Sequence, residues 1–329
     1  MKKLINLTLS LFFIFIILTG CKNNDKQQDD GKLNIVTTIF PSYDFAKQIV
    51  ADNANVTMLI KPGAETHSFD PTPQDIKKIQ NADLFIYTGG ESDVWVDDIL
   101  SSMEDSKPET LKLMDCVEII EEKLVEGMED EDHHHEDEEH HEDEEEHSHE
   151  DEEVELDEHV WTSPKNAIKI VKQIDTILQN KDPKNADIYA QNTNNLLAQL
   201  EDLDKSLEEV INTSKRNTII LGDRFPFGYL AKDYGLNYFA AFKGCSTQTE
   251  ASPATVAFLV DKVNQENIPV VFTIEMSNGK IADSISDATN AKKLTLHSCH
   301  NVSADELKQG ETYVSLMQKN IQNIREALN

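Results

Sequence analysis

The chain has 329 residues and a formal net charge of −31, with 39% apolar residues, which is length enough for two domains of ordinary size. Seventeen of the acids lie in one run, 129–153, so the remainder is only mildly acidic. No basic face is available to release phosphate counterions, which argues against a nucleic-acid partner, whereas a cationic partner suits the charge.

The first residues read as a signal peptide over 1–20. Met1-Lys2-Lys3 supplies the positive start and Leu11 to Leu18 the apolar region, too short to be read as a membrane span. The segment ends Leu18-Thr19-Gly20-Cys21, which resembles a bacterial lipobox with Cys21 as the lipidated residue. Residues 21–31 are polar and read as a lipidated tether. The protein is therefore expected outside the cytoplasm, lipid-anchored to the outer face of a bacterial cell membrane.

Residues 32–181 read as an N-terminal α/β lobe. Leu33–Ile39, Val56–Ile60 and Ala82–Tyr87 are β-branched and apolar, as buried strands are. Between them lie helical patterns opening at Pro41-Ser42 and at Gln74, and a Pro/Gly-rich loop, 61–73, carrying His67. A further helix is expected over 92–105 and a strand with its exit over 111–120. The run 129–153 then interrupts the lobe as a disordered insertion. It holds His133, His134, His135, His140, His141, His147 and His149 and no Lys or Arg. Acid alone would keep a tract soluble; clustered histidines point to metal collection. Directly after it, Asp157-Glu-His159-Val-Trp161 mixes one His with large apolar residues, as a buried site does.

Ser163-Pro164 opens the next helix. A long one is expected over 182–215, with Asp182 as cap and Pro183 at the first position. About thirty helical residues span about 45 Å, which suits a rigid connector. Residues 216–329 repeat the α/β pattern as a C-terminal lobe. Its strands are expected at 218–221, 238–242, 269–274 and 293–296, with a closing helix from Gly310. Gly222 to Gly228 reads as a loop. In both lobes polar and metal-capable residues follow the strands, where ligands of parallel sheets bind. The expected fold is thus α/β: two lobes with mainly parallel sheets, one long helix, and a metal site between the lobes.

Four stretches together carry a family likeness: Gly63-Ala-Glu-Thr-His67-Ser-Phe-Asp-Pro71, Asp157-Glu-His159-Val-Trp161, Phe227-Gly-Tyr-Leu-Ala-Lys-Asp-Tyr-Gly235, and Tyr313-Val-Ser-Leu-Met317-Gln-Lys-Asn320. From Leu33 onward the chain resembles the zinc- and manganese-specific substrate-binding proteins of ABC importers, in particular the zinc group with a His/acid-rich loop. The resemblance implies two lobes joined by a long helix, a membrane ABC permease as partner, a monomer, and Zn²⁺ as transported ligand, with Mn²⁺ as the alternative. It places metal ligands at His67 and His159. The family's third His precedes the Phe-Gly-Tyr segment, but here Arg224 stands near its place, with Asp223 beside it. The family's last ligand is usually an Asp after the final strand; here His297 holds that position, with Cys299 and His300 close by. His297 and His300 are accordingly candidate ligands. Asp223 and Glu275 are candidates for oxygen ligation or for orienting the imidazoles, and Cys299 for thiolate ligation. Cys245 and Cys299 either pair in a disulfide, which an exported compartment permits, or remain free thiols near a metal.

Two other functions share parts of this pattern. A surface adhesin on the same fold shares every feature named above. A zinc hydrolase would need an open coordination position and a base, for which Glu275 is the evident residue, but no His-Glu-x-x-His helix is present.

Overall fold

The computed structural model describes residues 31–103, 107–128, 155–246, 248 and 250–329. The signal peptide, Cys21, nearly all of the tether and the whole His/acid run lie outside the described residues. No helix among the described residues is long and apolar enough to cross a membrane.

The first sheet has the order β2-β1-β3-β4 and every pairing in it is parallel. Its strands are β1 (Asn34–Thr37), β2 (Asn55–Met58), β3 (Leu84–Tyr87) and β4 (Glu109–Lys112). Three helices intervene: α1 (Phe40–Val50), α2 (Pro73–Gln80) and α3 (Val94–Ser102). Proline sits in the first turn of α1 and α2, where no backbone N–H partner is lost. Thr72 and Asp75 close a capping box on α2. β3 is buried along its whole length, as expected of a central parallel strand.

The connecting pair follows: α4 (Pro164–Lys181) and α5 (Ala186–Thr213). Asp182 does not cap α5. Its carboxylate instead accepts hydrogen bonds from Asn185 and from the Tyr189 hydroxyl at 2.7 and 2.8 Å, and the helix starts three residues beyond Pro183. At 28 residues α5 is about 42 Å long. It is no bare strut: Leu196, Leu200, Leu203, Leu207 and Val210 are buried along one face, which packs on α4, α1 and the last helix.

The second sheet repeats the first, with the order β6-β5-β7-β8, again all parallel. It comprises β5 (Thr218–Phe225), β6 (Asn237–Lys243), β7 (Val270–Thr273) and β8 (Lys292–Thr295). Its helices are α6 (Gly228–Tyr234), α7 (Pro253–Glu266), α8 (Lys280–Thr289), α9 (Ala304–Gln309) and α10 (Tyr313–Leu328). Two departures from the sequence reading matter. β5 continues through Gly222-Asp223-Arg224-Phe225, the stretch read as a loop, with a register shift between Leu221 and Arg224. Asp223 is tolerated there because Thr273 Oγ1 and Ile274 N donate to its Oδ2 at 2.8 and 3.4 Å. The helix α9, absent from the reading, is announced by the capping box Ser303/Glu306 and stopped by Gly310 in the left-handed conformation.

Leu33–Asn329 forms one compact unit. The last helix returns to the first lobe: Tyr313 N–H donates to Asp44 Oδ2 on α1 at 2.9 Å, its ring meets Phe45 edge-on at 4.9 Å, and its hydroxyl donates to Trp161 O at 2.6 Å. Asp44 is nearly fully buried. Burial raises its carboxyl to about 6, against the hydrogen bonds from Tyr313 and Gln48 that act to lower it. The native chain thus holds this proton more tightly than the unfolded chain, whose carboxyl titrates near 3.8. The associated stability is full below about pH 4 and is lost as pH rises through about 6. Asp44→Asn, which cannot ionise, should be more stable than the parent at pH 8 by about 3 kcal/mol and equal to it at pH 4. Urea unfolding at the two pH values checks this, and equal stability at pH 8 would refute it.

Candidate metal centre

Three histidines from three separate loops meet at one end of the two sheets. His67 comes from the loop after β2, His159 from the stretch before α4, and His300 from the loop after β8. Their ring centroids lie 5.6 Å (His67–His159), 5.0 Å (His67–His300) and 5.5 Å (His159–His300) apart. His159 and His300 are buried, and the His67 side chain is only 8% exposed, so water is largely excluded from all three. A cavity of about 30 Å³ lies among them, bordered also by Arg224, Gly244 and Glu275, with room for one small ion or water.

Each ring is held by Nδ1. His159 Nδ1 faces Asp157 Oδ1 at 3.0 Å, and the same oxygen accepts the His159 backbone N–H at 2.9 Å. A carboxylate only accepts, so the ring proton sits on Nδ1 and Nε2 presents its lone pair. His67 Nδ1 lies 2.9 Å from Ser92 Oγ, whose own proton goes to Glu158 Oε1. Ser92 therefore accepts from His67 Nδ1–H, and here too Nε2 carries the lone pair. His300 Nδ1 meets Thr66 Oγ1 at 3.1 Å. The Nε2 atoms of His159 and His300 are buried without a hydrogen-bond partner, as is that of His297, which lies outside the cluster. A buried polar atom left unpaired costs free energy, and a cation at this point would remove that cost.

The electrostatics agree with neutral rings at two positions. Burial, then the neighbouring His159 and Arg224, push His67 down to about 3. Burial and the charges of His67, His159 and Arg224 hold His300 well below an ordinary imidazole. For His159, burial acts in the same direction, but the hydrogen bond and charge of Asp157, with Glu158 and Glu122, leave it raised. Three rings this close cannot all be protonated on both nitrogens and carry positive charge.

Hydrogen bonds tie the loops to one another. Trp161 Nε1–H donates to Ser298 O at 2.8 Å, Asn301 Nδ2 donates to Lys61 O and Ala64 O at 2.8 and 2.9 Å, and Gly63 N–H donates to Val302 O at 2.8 Å. Asp157 is packed so closely that a Cβ on Gly228 would stand 2.2 Å from its Oδ2, which explains the glycine in the Phe-Gly-Tyr segment.

Not every residue singled out from the sequence belongs to this cluster. His297 lies in another polar group: its Nδ1 is 3.7 Å from Glu275 and its Nε2 3.6 Å from Glu306, and Cys299 N–H donates to Nδ1 at 2.9 Å. Burial would lower it, yet Glu275, Cys299 and Glu306 raise it to about 11. Because Nδ1 accepts the Cys299 N–H, the ring proton sits on Nε2, toward Glu306, and the ring faces Glu275 and Glu306 and does not border the cavity. Glu275 borders the cavity but spends its carboxylate on Ser298 N–H, at 2.7 Å, and on the Ser298 hydroxyl. Asp223 braces β5 to the end of β7. Arg224 Nη1 donates to Ser246 O at 3.2 Å and stands 3.5 Å from Glu65.

The cysteine pair expected as one alternative is not formed: Cys245 and Cys299 are both free thiols. Cys299 is fully buried in the core and its sulfur faces His297 O at 3.8 Å, away from the cavity set. Cys245 instead has its sulfur grouped with His67, His159 and Glu158, all their ligand atoms lying within 4.8 Å of one another. A second group, Glu122, Glu155 and Cys245, adjoins it. Glu158, Ser92 and Thr66 were not singled out from the sequence. Glu158 and Thr66 lie inside quoted motifs, Asp157-Glu-His159 and Gly63-Ala-Glu-Thr-His67, whereas Ser92 carried no signal. A larger cavity nearby, about 490 Å³, is bordered by Ile120, Met128 and Tyr238 but by no histidine, and offers no nitrogen donor set.

The chain matches the family model described as ZnuA, zinc-uptake complex component A, periplasmic, over residues 35–327. It is similar to the zinc-binding lipoprotein AdcA of Streptococcus pneumoniae (strain ATCC BAA-255 / R6), 33% identical over 330 aligned residues, covering 99% of this chain but 61% of that relative. It thus spans about three-fifths of the length of the streptococcal relatives. It is also similar to the high-affinity zinc uptake system protein ZnuA of Bacillus subtilis (strain 168), 33% identical, covering 95% of this chain and 94% of the relative. Among solved structures, the Zn(II)-bound ZnuA-like domain of Streptococcus pneumoniae AdcA matches with a TM-score of 0.72 at 30% identity, covering 91% of this chain and 99% of that one. By the extent of the family match and by these relatives, the chain belongs to the ZnuA family of zinc-uptake components.

Proposed function

We propose that this chain is the extracytoplasmic zinc-capturing component of an ABC importer, held at the membrane by lipid on Cys21 and delivering Zn²⁺ to the permease. The observation that carries this reading is the trio His67, His159 and His300, each anchored through Nδ1 around an ion-sized cavity. Neutral imidazole binds Zn²⁺ at about 2.0–2.1 Å, and a nitrogen-rich set favours it over oxygen-seeking ions such as Mn²⁺. The cation is cargo. The first lobe supplies two ligands and the loop after β8 the third, so binding bridges the lobes. Because Trp161 and Asn301 already tie those loops together, closure on binding is small. A hydrolase is disfavoured because Glu275, its candidate base, already has both carboxylate oxygens engaged by Ser298.

The His/acid run supports a collecting role on sequence grounds. Many weak ligands next to the fixed site raise the local Zn²⁺ concentration and exchange quickly.

Zinc titration of the purified protein should show one tight site that survives deletion of 129–153. His67→Ala and His300→Ala should abolish that site, while His297→Gln should keep it. Loss of the site in His297→Gln with the fold intact would return His297 to the ligand set. Asp157→Asn should weaken zinc binding by about 10–100-fold, the usual cost of losing a partner that orients a ligating imidazole.

Deletion of 129–153 should slow zinc uptake by cells at limiting zinc while leaving the tight site intact. Unchanged uptake would remove the collecting role.

A further inference from the structure

We propose that Cys245 supplies a thiolate ligand to the cation held by the histidine cluster. The inference rests on the reading of that cluster as a metal site and adds a sulfur donor to it from the second sheet. The Cys245 sulfur lies within 4.8 Å of a ring nitrogen of both His67 and His159. His159 is fully buried and its Nε2 has no hydrogen-bond partner. Among the described residues no hydrogen bond engages the Cys245 sulfur; only its backbone N–H is used, donating to Glu122 Oε1 at 3.2 Å. Glu158, the remaining member of the group, is already committed. Its Oε2 accepts Ser92 N–H at 3.0 Å and its Oε1 accepts the Ser92 hydroxyl. Of the four, the thiol is the anionic donor still available.

The loop that carries it is built for close approach. A Cβ on Gly244 would stand 3.1 Å from His159 Cε1, 3.0 Å from Phe225 O and 2.7 Å from Glu122 Oε1. Glycine lets the backbone lie against the imidazole and brings the next residue to the site. Glu122 then pins the loop, accepting Gly244 N–H at 2.6 Å as well as Cys245 N–H. On binding, the Cys245 S–H bond gives its proton to water and the sulfur lone pair joins the cation. A set of imidazole nitrogens and one thiolate is a soft set that selects Zn²⁺ and Co²⁺ over Mn²⁺.

Co²⁺ is the probe, because a thiolate ligand gives it a sulfur-to-metal charge-transfer band in the near ultraviolet and imidazole does not. The Co²⁺-loaded full chain should show the band. Cys245→Ser should lose it yet keep the visible cobalt bands of the histidine ligands, and Cys299→Ser should retain both. A band that persists in Cys245→Ser, or tight Co²⁺ binding by the parent with no band, overturns the proposal and leaves the histidine site standing. Failure of the parent to bind Co²⁺ or Zn²⁺ at all overturns both. Should Cys245→Ser not fold, alkylation of the parent decides. Zn²⁺ should shield Cys245 from iodoacetamide and leave Cys116, a half-buried thiol outside the cluster, at its metal-free rate. Equal labelling of Cys245 with and without Zn²⁺ would refute ligation.

Discussion

The structure depends on burying three imidazoles within 5.0–5.6 Å of one another without letting them all ionise. Three adjacent positive charges in a site with little water would repel strongly. Each ring must therefore have a fixed tautomer, and each needs its own Nδ1 partner. Asp157, Ser92 and Thr66 meet that need from three different loops. That leaves the Nε2 atoms of His159 and His300 buried without a hydrogen-bond partner, a cost that a cation there would remove.

Holding the loops is the task of the rest of the fold. Parallel sheets place their carboxyl-end loops on one side, which accounts for His67 and His300. Trp161 ties the His159 stretch to Ser298, and Asn301 ties the loop after β8 to Lys61 and Ala64. These are hydrogen bonds between lobes, made by buried or half-buried groups. Behind them α5 runs its apolar face against α4, α1 and α10, and Tyr313 locks α10 to Asp44. The architecture favours a preformed site with small movement over a hinge that opens widely.

Much of this was legible in the sequence. The strands were marked by β-branched runs, the helix starts by Pro and capping residues, and His67 and His159 by loops whose composition announced them. The misreadings share a cause: contacts remote in sequence. Gly222 to Phe225 looks like a loop because its Asp and Arg are polar; Thr273 and Ser246 satisfy them and the strand continues. Asp182 looks like a helix cap, but Tyr189 claims its carboxylate. His297 and His300 are three residues apart and chemically identical, so spacing cannot choose between them. Cys299, with a φ of 61°, turns the chain left-handed between them. One ring goes to Glu275 and Glu306, the other to the cluster. For Cys245 the sequence left two alternatives, a disulfide with Cys299 or a free thiol near a metal, and its thiol is free beside His67 and His159.

The exchange at Arg224 fits the same charge logic. A guanidinium where the family places a third histidine removes one nitrogen donor and adds positive charge beside the cavity. His300 returns the nitrogen from another loop. The charge is met from outside: Glu65 stands 3.5 Å from Nη1 but is half exposed, so its screening is partial. Deeper in, Glu122, Asp157 and Glu158 surround His159, and their combined field outweighs burial at that ring. The site therefore keeps a negative surround despite the arginine. Such a negative surround suits a cation, and among divalent cations nitrogen donors suit Zn²⁺ better than oxygen-seeking ions. The first lobe contributes most of this field, through Glu122, Asp157 and Glu158.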